Sequence, residues 1–372
     1  MVLKSGKNVT ISENDVSIGV KQFETPSEYC MAPICWLPQK KSEKNRFFFK
    51  NALNFSLLGT IFLFQMAAKP RWGFWAHKRI NRLAVFRLPP EMQPFFKKYS
   101  DYLTENAVNP DKRRYAVVGE AERHFIDLDV YGDSALTTLP HHWQSALARI
   151  GEDSLRKHGI VPWHVQLAAA QLTSAFRDKD ARRILRLSAD LGHYIADAHV
   201  PLHTTRNYNG QLSGQDGIHG FWESRLPELF AEQYDMWLGP AKYRPDIAAD
   251  IWKAVGDSHA AMDSVLRFEK QLTAQYPTDK KYSYELRNNV LTRMQSREFS
   301  AKYHQMLAGQ VERRMRASVE MVGNIWYTCW VNAGQPDLGA LADAEVGEEM
   351  KEAAGQQGWL QRLFHVRPEP DN

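Results

Sequence analysis

Cysteine is scarce in this chain of 372 residues: Cys30, Cys35 and Cys329 are the three. Two precede residue 72, so a body processed near that point keeps one thiol and no internal disulfide, even outside the cell. Cys329 lies in the apolar "NIWYTCWV" and reads as a buried, inert thiol. A charge excess of one sign is lacking as well. The formal net charge is +4, but residues 1–71 hold ten Lys/Arg against five Asp/Glu, which leaves 37 against 38 in residues 72–372. Bulk charge therefore gives no support for wide nucleic-acid binding by the body and leaves room for a local basic groove. No internal repeat and no β-hairpin signal stands out. No second long apolar run follows residue 68, so the body is expected to be soluble.

What is present begins with a leader. The basic "KKSEKNRFFFK" precedes the apolar "NALNFSLLGTIFLFQMAA", which ends in small residues. This order is that of a secretory signal peptide, with Ala68 as the better cleavage position. Asn54, Ser56, Thr60 and Gln65 interrupt the apolar run, which is short for a transmembrane helix. An uncleaved anchor is the alternative. The forty residues ahead of the basic segment are long for a signal peptide, and Met31 is an alternative start. The organisation expected is an N-terminal extension over 1–44, a signal peptide or anchor over 45–71, a body over 72–335 and a tail over 336–372. Export to the periplasm or beyond follows if the leader is cut, membrane anchoring if it is not.

With 44% apolar and 24% charged residues, the chain can bury a core. Helical patterns dominate the body, so the fold class expected is all-α, a single multi-helix domain. "HKRINRLAVFRL" spaces Ile80, Leu83 and Ala84 as a helix face, ended by Pro89-Pro90. "PWHVQLAAAQLTSAF" and "ARRILRLSADLGHYIADAH" are long and helical, and Pro201 ends the second. Residues 109–133 are punctuated by Gly and Pro and read as an irregular connection, as do residues 204–218. Two more helices are predicted near 244–272 and 288–332. In the last, Leu307, Val311, Met315, Val319 and Val322 form an apolar core stripe.

The segment "HYIADAHVPLH" holds three histidines and an aspartate. His193 and Asp197 are four apart on a predicted helix, one turn apart on one face. His203 falls beyond Pro201, where the chain must turn, and can approach from another direction. In "HGFWE", His219 and Glu223 repeat the four-residue spacing. Imidazole and carboxylate are usual zinc ligands. The plain alternative is polar residues on solvated helix faces. Against it, two such pairs flank a further histidine within a short stretch, among the apolar Leu191, Ile195, Val200, Phe221 and Trp222, where unpaired ionisable groups are costly. His199 lies on another face and is assigned to packing or to supporting a ligand.

These residues resemble the trinuclear-zinc superfamily of bacterial phospholipases C and fungal S1/P1-type nucleases. Three upstream pieces, "WGFWAH", "PDKRRY" and "HFID", occur in the family's order. The resemblance implies a helical hydrolase domain with irregular metal-bearing loops and three Zn2+. Asp111, His124, His193 and Asp197 would hold one ion, and His203, His219 and Glu223 a second. His77, with the amine and carbonyl of Trp72, would hold the third, bridged by Asp197. A closely spaced zinc pair activates a shared water, which Asp111 would orient or deprotonate. The family uses the free amine of its first tryptophan, whereas "AAKPRW" offers no obvious cut before Trp72.

The implied activity is hydrolysis of phosphodiesters, with a phospholipid or a single-stranded nucleic acid as substrate. Glu223 as last ligand and the short loop after His203 resemble the phospholipase side. Phe125, placed to stack on a base, Asp127, placed to hydrogen-bond it, and Arg114, placed to contact phosphate, resemble the nuclease side. Core packing for Phe125 and a turn role for Asp127 are equal alternatives. The expectation leans to phospholipase C, with the S1/P1-type nuclease next and a non-catalytic zinc-stabilised module third. No obligate protein partner is indicated.

Overall fold

The computed structural model describes residues 73–287 and 290–342, all within the compact unit Ala67–Asn372. Trp72, the leader and the tail beyond 342 lie outside the described residues. Six helices of ten residues or more frame the described part. They are α1 (Phe74–Val85), α2 (Val161–Arg177), α3 (Ala181–Ala198), α4 (Ile247–Gln275), α5 (Arg297–Met306) and α6 (Gln310–Asn332). Short helical turns fill the stretch between α1 and α2, as its Gly and Pro content demands. None of the described helices is long and apolar enough to cross a membrane. The architecture is mostly helical, as expected.

The start of α3 follows from Asp180, whose carboxylate accepts the Arg183 amide at 3.0 Å. Every residue from Leu187 to Ala198 is buried. A helix enclosed on all sides has no solvated face, so its polar side chains must find partners inside. Gly192 explains how closely α1 can approach. A Cβ there would lie 2.0 Å from Asn81 Oδ1. Asn81 instead donates to Ala189 O at 3.1 Å, tying α1 to α3 backbone. The same contact sets His77, one turn before Asn81, over His193, with ring centroids 4.1 Å apart.

Two apolar clusters share the interior. The first joins α1, α2, α3 and most of α6, with Phe95, Phe96, Phe176 and Trp326 among its large side chains. Cys329 belongs to it, fully buried, and burial pushes its thiol up to about 12, which fits an inert role. The second gathers Phe221, Trp222, Phe299 and Tyr303 with Val265 of α4 and Val311 of α6. On α1, Ala76 belongs to the second cluster and Ile80 to the first, so His77 stands at the seam.

The structure corrects two expectations. The helix predicted over 288–332 is two helices, α5 and α6, preceded by a strand. Left-handed Ala308 (φ 48°) and Gly309 (φ 75°) separate the helices. A β-hairpin, unsignalled in the sequence reading, pairs β1 (Tyr282–Arg287) with β2 (Val290–Gln295), and Arg287 stands opposite Val290. Asn288 and Asn289, between the strands, lie outside the described residues. The helix expected near 244–272 is α4, started by Asp246, whose carboxylate accepts the Ala249 amide.

Candidate metal centre

α3 delivers His193 and Asp197 side by side: His193 Nε2 lies 3.2 Å from Asp197 Oδ2. The chain then turns at Val200-Pro201 into a single 3-10 turn, Pro201–Thr204, which brings His203 back. The irregular stretch carrying His124 is pinned on both sides. Ile126 N donates to His203 O at 2.9 Å, and Val161 N at the start of α2 donates to Phe125 O at 3.1 Å. His124 Nδ1 therefore reaches Asp197 Oδ2 at 2.9 Å and His193 Nε2 at 3.1 Å. Asp111, on the short helix Asn109–Arg113, places Oδ1 3.7 Å from both rings. His219 and Glu223 lie on consecutive helical turns, the second a π-turn (Phe221–Arg225), with His219 Nε2 2.7 Å from Glu223 Oε2 and 2.9 Å from His203 Nε2. His77 Nε2 links the two halves, 3.4 Å from Asp197 Oδ1 and 3.3 Å from Glu223 Oε1.

Eight of the nine residues expected as ligands thus meet, and Trp72 lies outside the described residues. Four overlapping sets have ligand atoms within 4.8 Å of one another: His77–Asp111–His193, His124–His193–Asp197, His203–His219–Glu223 and His77–Asp197–Glu223. His124–His193–Asp197 and His203–His219–Glu223 each fall within one expected site, whereas His77–Asp111–His193 joins residues expected at two different sites and His77–Asp197–Glu223 places Glu223 beside His77. Gly73 is part of the same geometry, since a Cβ there would come 2.7 Å from Glu223 Oε1.

The protons available to the cluster leave room for a cation. His193 Nδ1 donates to Ala107 O at 2.9 Å, and His203 Nδ1 donates to His124 O at 2.7 Å. In the neutral rings both Nε2 atoms are then bare lone pairs aimed into the cluster. His203 Nε2, His219 Nε2 and Glu223 Oε2 crowd together with at most the one proton of His219 to share. A cation satisfies all three at once. Backbone carbonyls holding the far nitrogen are the usual way to orient a ligating imidazole. The residues present therefore fit divalent cations bound by nitrogen and oxygen.

Electrostatics agree. Burial holds His124 well below the usual imidazole range, and the nearby His193 and Arg114 deepen the effect. Burial lowers His193 too. Neutral imidazole is the form that ligates. Burial lifts Asp197 to about 7, against the pull of His203 and His77. Burial pushes Glu223 up, but hydrogen bonds with His203 and His219 outweigh it and hold the carboxyl well below its ordinary value.

The remaining expected residues sit around this cluster. Arg114 makes no ion pair among the described residues, yet its charge acts on His124. Its neighbour Arg113 is committed, forking onto Asp190 at 3.1 and 3.0 Å. Phe125 is half-buried with its ring against Gly159, where a Cβ would lie 2.6 Å from Phe125 Cδ2. The Asp127 carboxylate lies 3.5 Å from His158 Nδ1, and burial raises it to about 6. His199 stays out of the cluster: Nδ1 donates to Ile195 O at 2.7 Å, and its carbonyl accepts from Arg314. With Arg314 it lines a cavity of about 30 Å3 behind His77 and Glu223.

Sequence reasoning missed Glu120. It is fully buried, accepts from the Tyr194 hydroxyl, and pairs with Arg113 Nε at 3.0 Å and Arg123 Nη1 at 2.8 Å. Its Oε1 faces the otherwise unpartnered His124 Nε2 at 3.8 Å. In the charged "GEAERH" it looks like any solvated acid, and only the four-residue step to His124 marks it.

No protein-family model matches the chain, and no curated protein matches it significantly. The centre is read from its own chemistry.

Proposed function

We propose that the chain is a zinc-dependent hydrolase of phosphodiester bonds, of the type of the trinuclear-zinc phospholipases C and S1/P1 nucleases, with phospholipid the preferred substrate. The observation that carries this reading is the convergence of eight histidine and acidic side chains, from His77 to Glu223, into one mostly buried cluster. Asp111, His124, His193 and Asp197 would hold one ion, His203, His219 and Glu223 another, and His77, Asp197 and Glu223 a third. When bound, zinc supplies Lewis-acid charge for a phosphoryl oxygen and makes water acidic near neutrality.

The chain's own residues do the rest. Asp111 is the most exposed acid of the cluster, 23% accessible, and its carboxylate accepts the proton of the attacking water. Arg114, without an ion pair among the described residues, would offer its guanidinium to a phosphate oxygen. The buried walls around His193 and Asp197 exclude bulk water and strengthen both effects. Packing of Phe125 on Gly159 and of Asp127 beside His158 supports structural roles for both, which favours phospholipid over a stacked base. The half-exposed ring of Phe125 is what favours the nuclease alternative. Export fits this reading, with the basic and apolar leader as its signal.

The test is turnover of bis(p-nitrophenyl) phosphate, short-chain phosphatidylcholine and single-stranded DNA, beside metal analysis. About three zinc ions per chain are expected, with turnover lost on chelation and restored by zinc. Faster turnover of DNA would select the nuclease. A metal-loaded protein inert on all three would make the centre a structural one.

A further inference from the structure

The β-hairpin is built inside out. On one face, Leu286 stands opposite Leu291 and Tyr284 opposite Arg293. The apolar side chains of this face are bare to solvent: Leu286 is 69% exposed, Tyr284 67% and Leu291 65%. The other face carries Ser283, Glu285 and Arg287, the residues that usually meet water, and it is turned to the protein. Arg225 Nη1 donates to Glu285 Oε2 at 2.9 Å, Arg287 Nη2 donates to Glu228 Oε2 at 2.5 Å, and Met294 is buried beneath.

This orientation is held firmly. Arg225 is only 2% exposed, and lifting the ribbon would leave its guanidinium buried without the Glu285 charge. A one-residue slip in register would exchange the two faces. The two ion pairs fix the register that leaves the leucines outside. A bare apolar patch on an otherwise ordinary surface marks something that covers it.

The charges beside the patch tell what. Arg293 shares the outward face and lies over the Tyr282 ring, 3.7 Å from its centroid. At the base of the ribbon the exposed Lys280 and Arg297 are offset by the exposed Asp279 and Glu298, so the cation that distinguishes the outward face is Arg293. Aliphatic tips, tyrosine rings one rung back and the Arg293 cation beside them match the layers of a leaflet: acyl boundary, interface, anionic headgroups. A second copy of the chain is a poorer occupant. A stable protein interface takes roughly 800 Å2 per partner, which a few side chains on a two-stranded ribbon do not supply.

We propose that the 282–295 hairpin is a membrane-surface anchor that docks on an anionic lipid leaflet. The inference stands apart from the metal centre, because docking needs no metal. The Arg225–Glu285 pair joins the hairpin to the turn that carries Glu223.

The test places a polarity-sensitive fluorophore at position 286 of the full chain, as Leu286→Cys with Cys30→Ser and Cys35→Ser. Cys329 is buried and stays unlabelled. A second chain carries the label at the equally exposed Leu212. With vesicles of equal parts phosphatidylglycerol and phosphatidylcholine, emission at 286 should rise and shift to the blue, and emission at 212 should not. Metal-stripped protein should give the same shift, so loss of turnover and loss of docking are separable. Arg293→Glu should weaken the vesicle titration about tenfold or more. A label at 286 that stays water-like at saturating vesicles overturns the anchor. So does an equal response to pure phosphatidylcholine, or a shift that tracks protein concentration without lipid.

Discussion

The two sides of the candidate metal centre are made differently. On one side His77, His124, His193 and Asp197 are at most 3% exposed, held by α1, by α3 and by a stretch pinned to α2. On the other, His219 is 22% and Glu223 12% exposed, and both ride on short turns, one of them a π-turn. The first side is part of the main core, so its ligands cannot move without moving helices. The second can yield locally. The positions of His77, His124, His193 and Asp197 are thus preset by folding, whereas His219, Glu223 and the 23% exposed Asp111 can adapt to what binds.

The sharpest way to break this contrast uses one glycine from each side. In Gly192→Ala the new Cβ meets Asn81 Oδ1, locked between α1 and α3, and a loss of about 3 kcal/mol is expected. In Gly220→Ala, between His219 and Phe221, a Cβ meets nothing within 4 Å, and φ is an ordinary −61°. That change should be neutral or stabilise by up to ~1 kcal/mol. Denaturant unfolding of the metal-free proteins measures both. Equal losses would show that the two sides are equally rigid.

The ligands themselves give a slightly smaller contrast. His193→Ala leaves Ala107 O without its donor inside the core and should cost about 2 kcal/mol in metal-free protein. His219→Ala, partly exposed and without a backbone tether of its ring, should change metal-free stability by less than ~0.5 kcal/mol. Both should lower the zinc bound per chain. A His193→Ala protein with full metal content and full turnover would remove the centre from its assigned place.

The same division governs what could be read from sequence. The spacings His193–Asp197 and His219–Glu223 are local, and helical geometry carries them directly into the structure. His77, Asp111 and His124 reach the centre only through tertiary packing. Nothing in their own neighbourhoods announces it, and resemblance rather than periodicity pointed to them. α2, α3 and α4 were legible because each is long and punctuated by Pro or Asp. The hairpin was not: Tyr282–Arg287 alternates apolar and polar residues, but its partner Val290–Gln295 does not, and no Gly-containing turn marks the connection. Glu120 was hidden because a buried acid among three cationic or hydroxyl partners has the same letters around it as a solvated one.

Acid should expose the contrast once more, and more gently. His164 of α2 packs edge-on to Tyr194, ring centroids 4.5 Å apart, and burial lowers it to about 3, helped by Arg123 and Arg113. Its unfolded value is near 6.5. Between those values the unfolded chain binds a proton that the folded ring refuses. Stability therefore falls as the pH drops below about 6.5 and levels off near 3, with a contribution of about 2 kcal/mol lost by pH 5. On the other side, His304 lies stacked on Phe230 and is lowered by burial as well, but it is only partly enclosed and the nearby Glu312 opposes the shift. Unfolding of metal-free His164→Gln and His304→Gln between pH 7 and pH 5 separates the two, since the ligand histidines are common to both. His164→Gln should flatten the profile clearly and His304→Gln only slightly. Identical profiles in the wild type and His164→Gln would mean that the α3 side admits a proton, and that its enclosure is looser than the packing around Tyr194 implies.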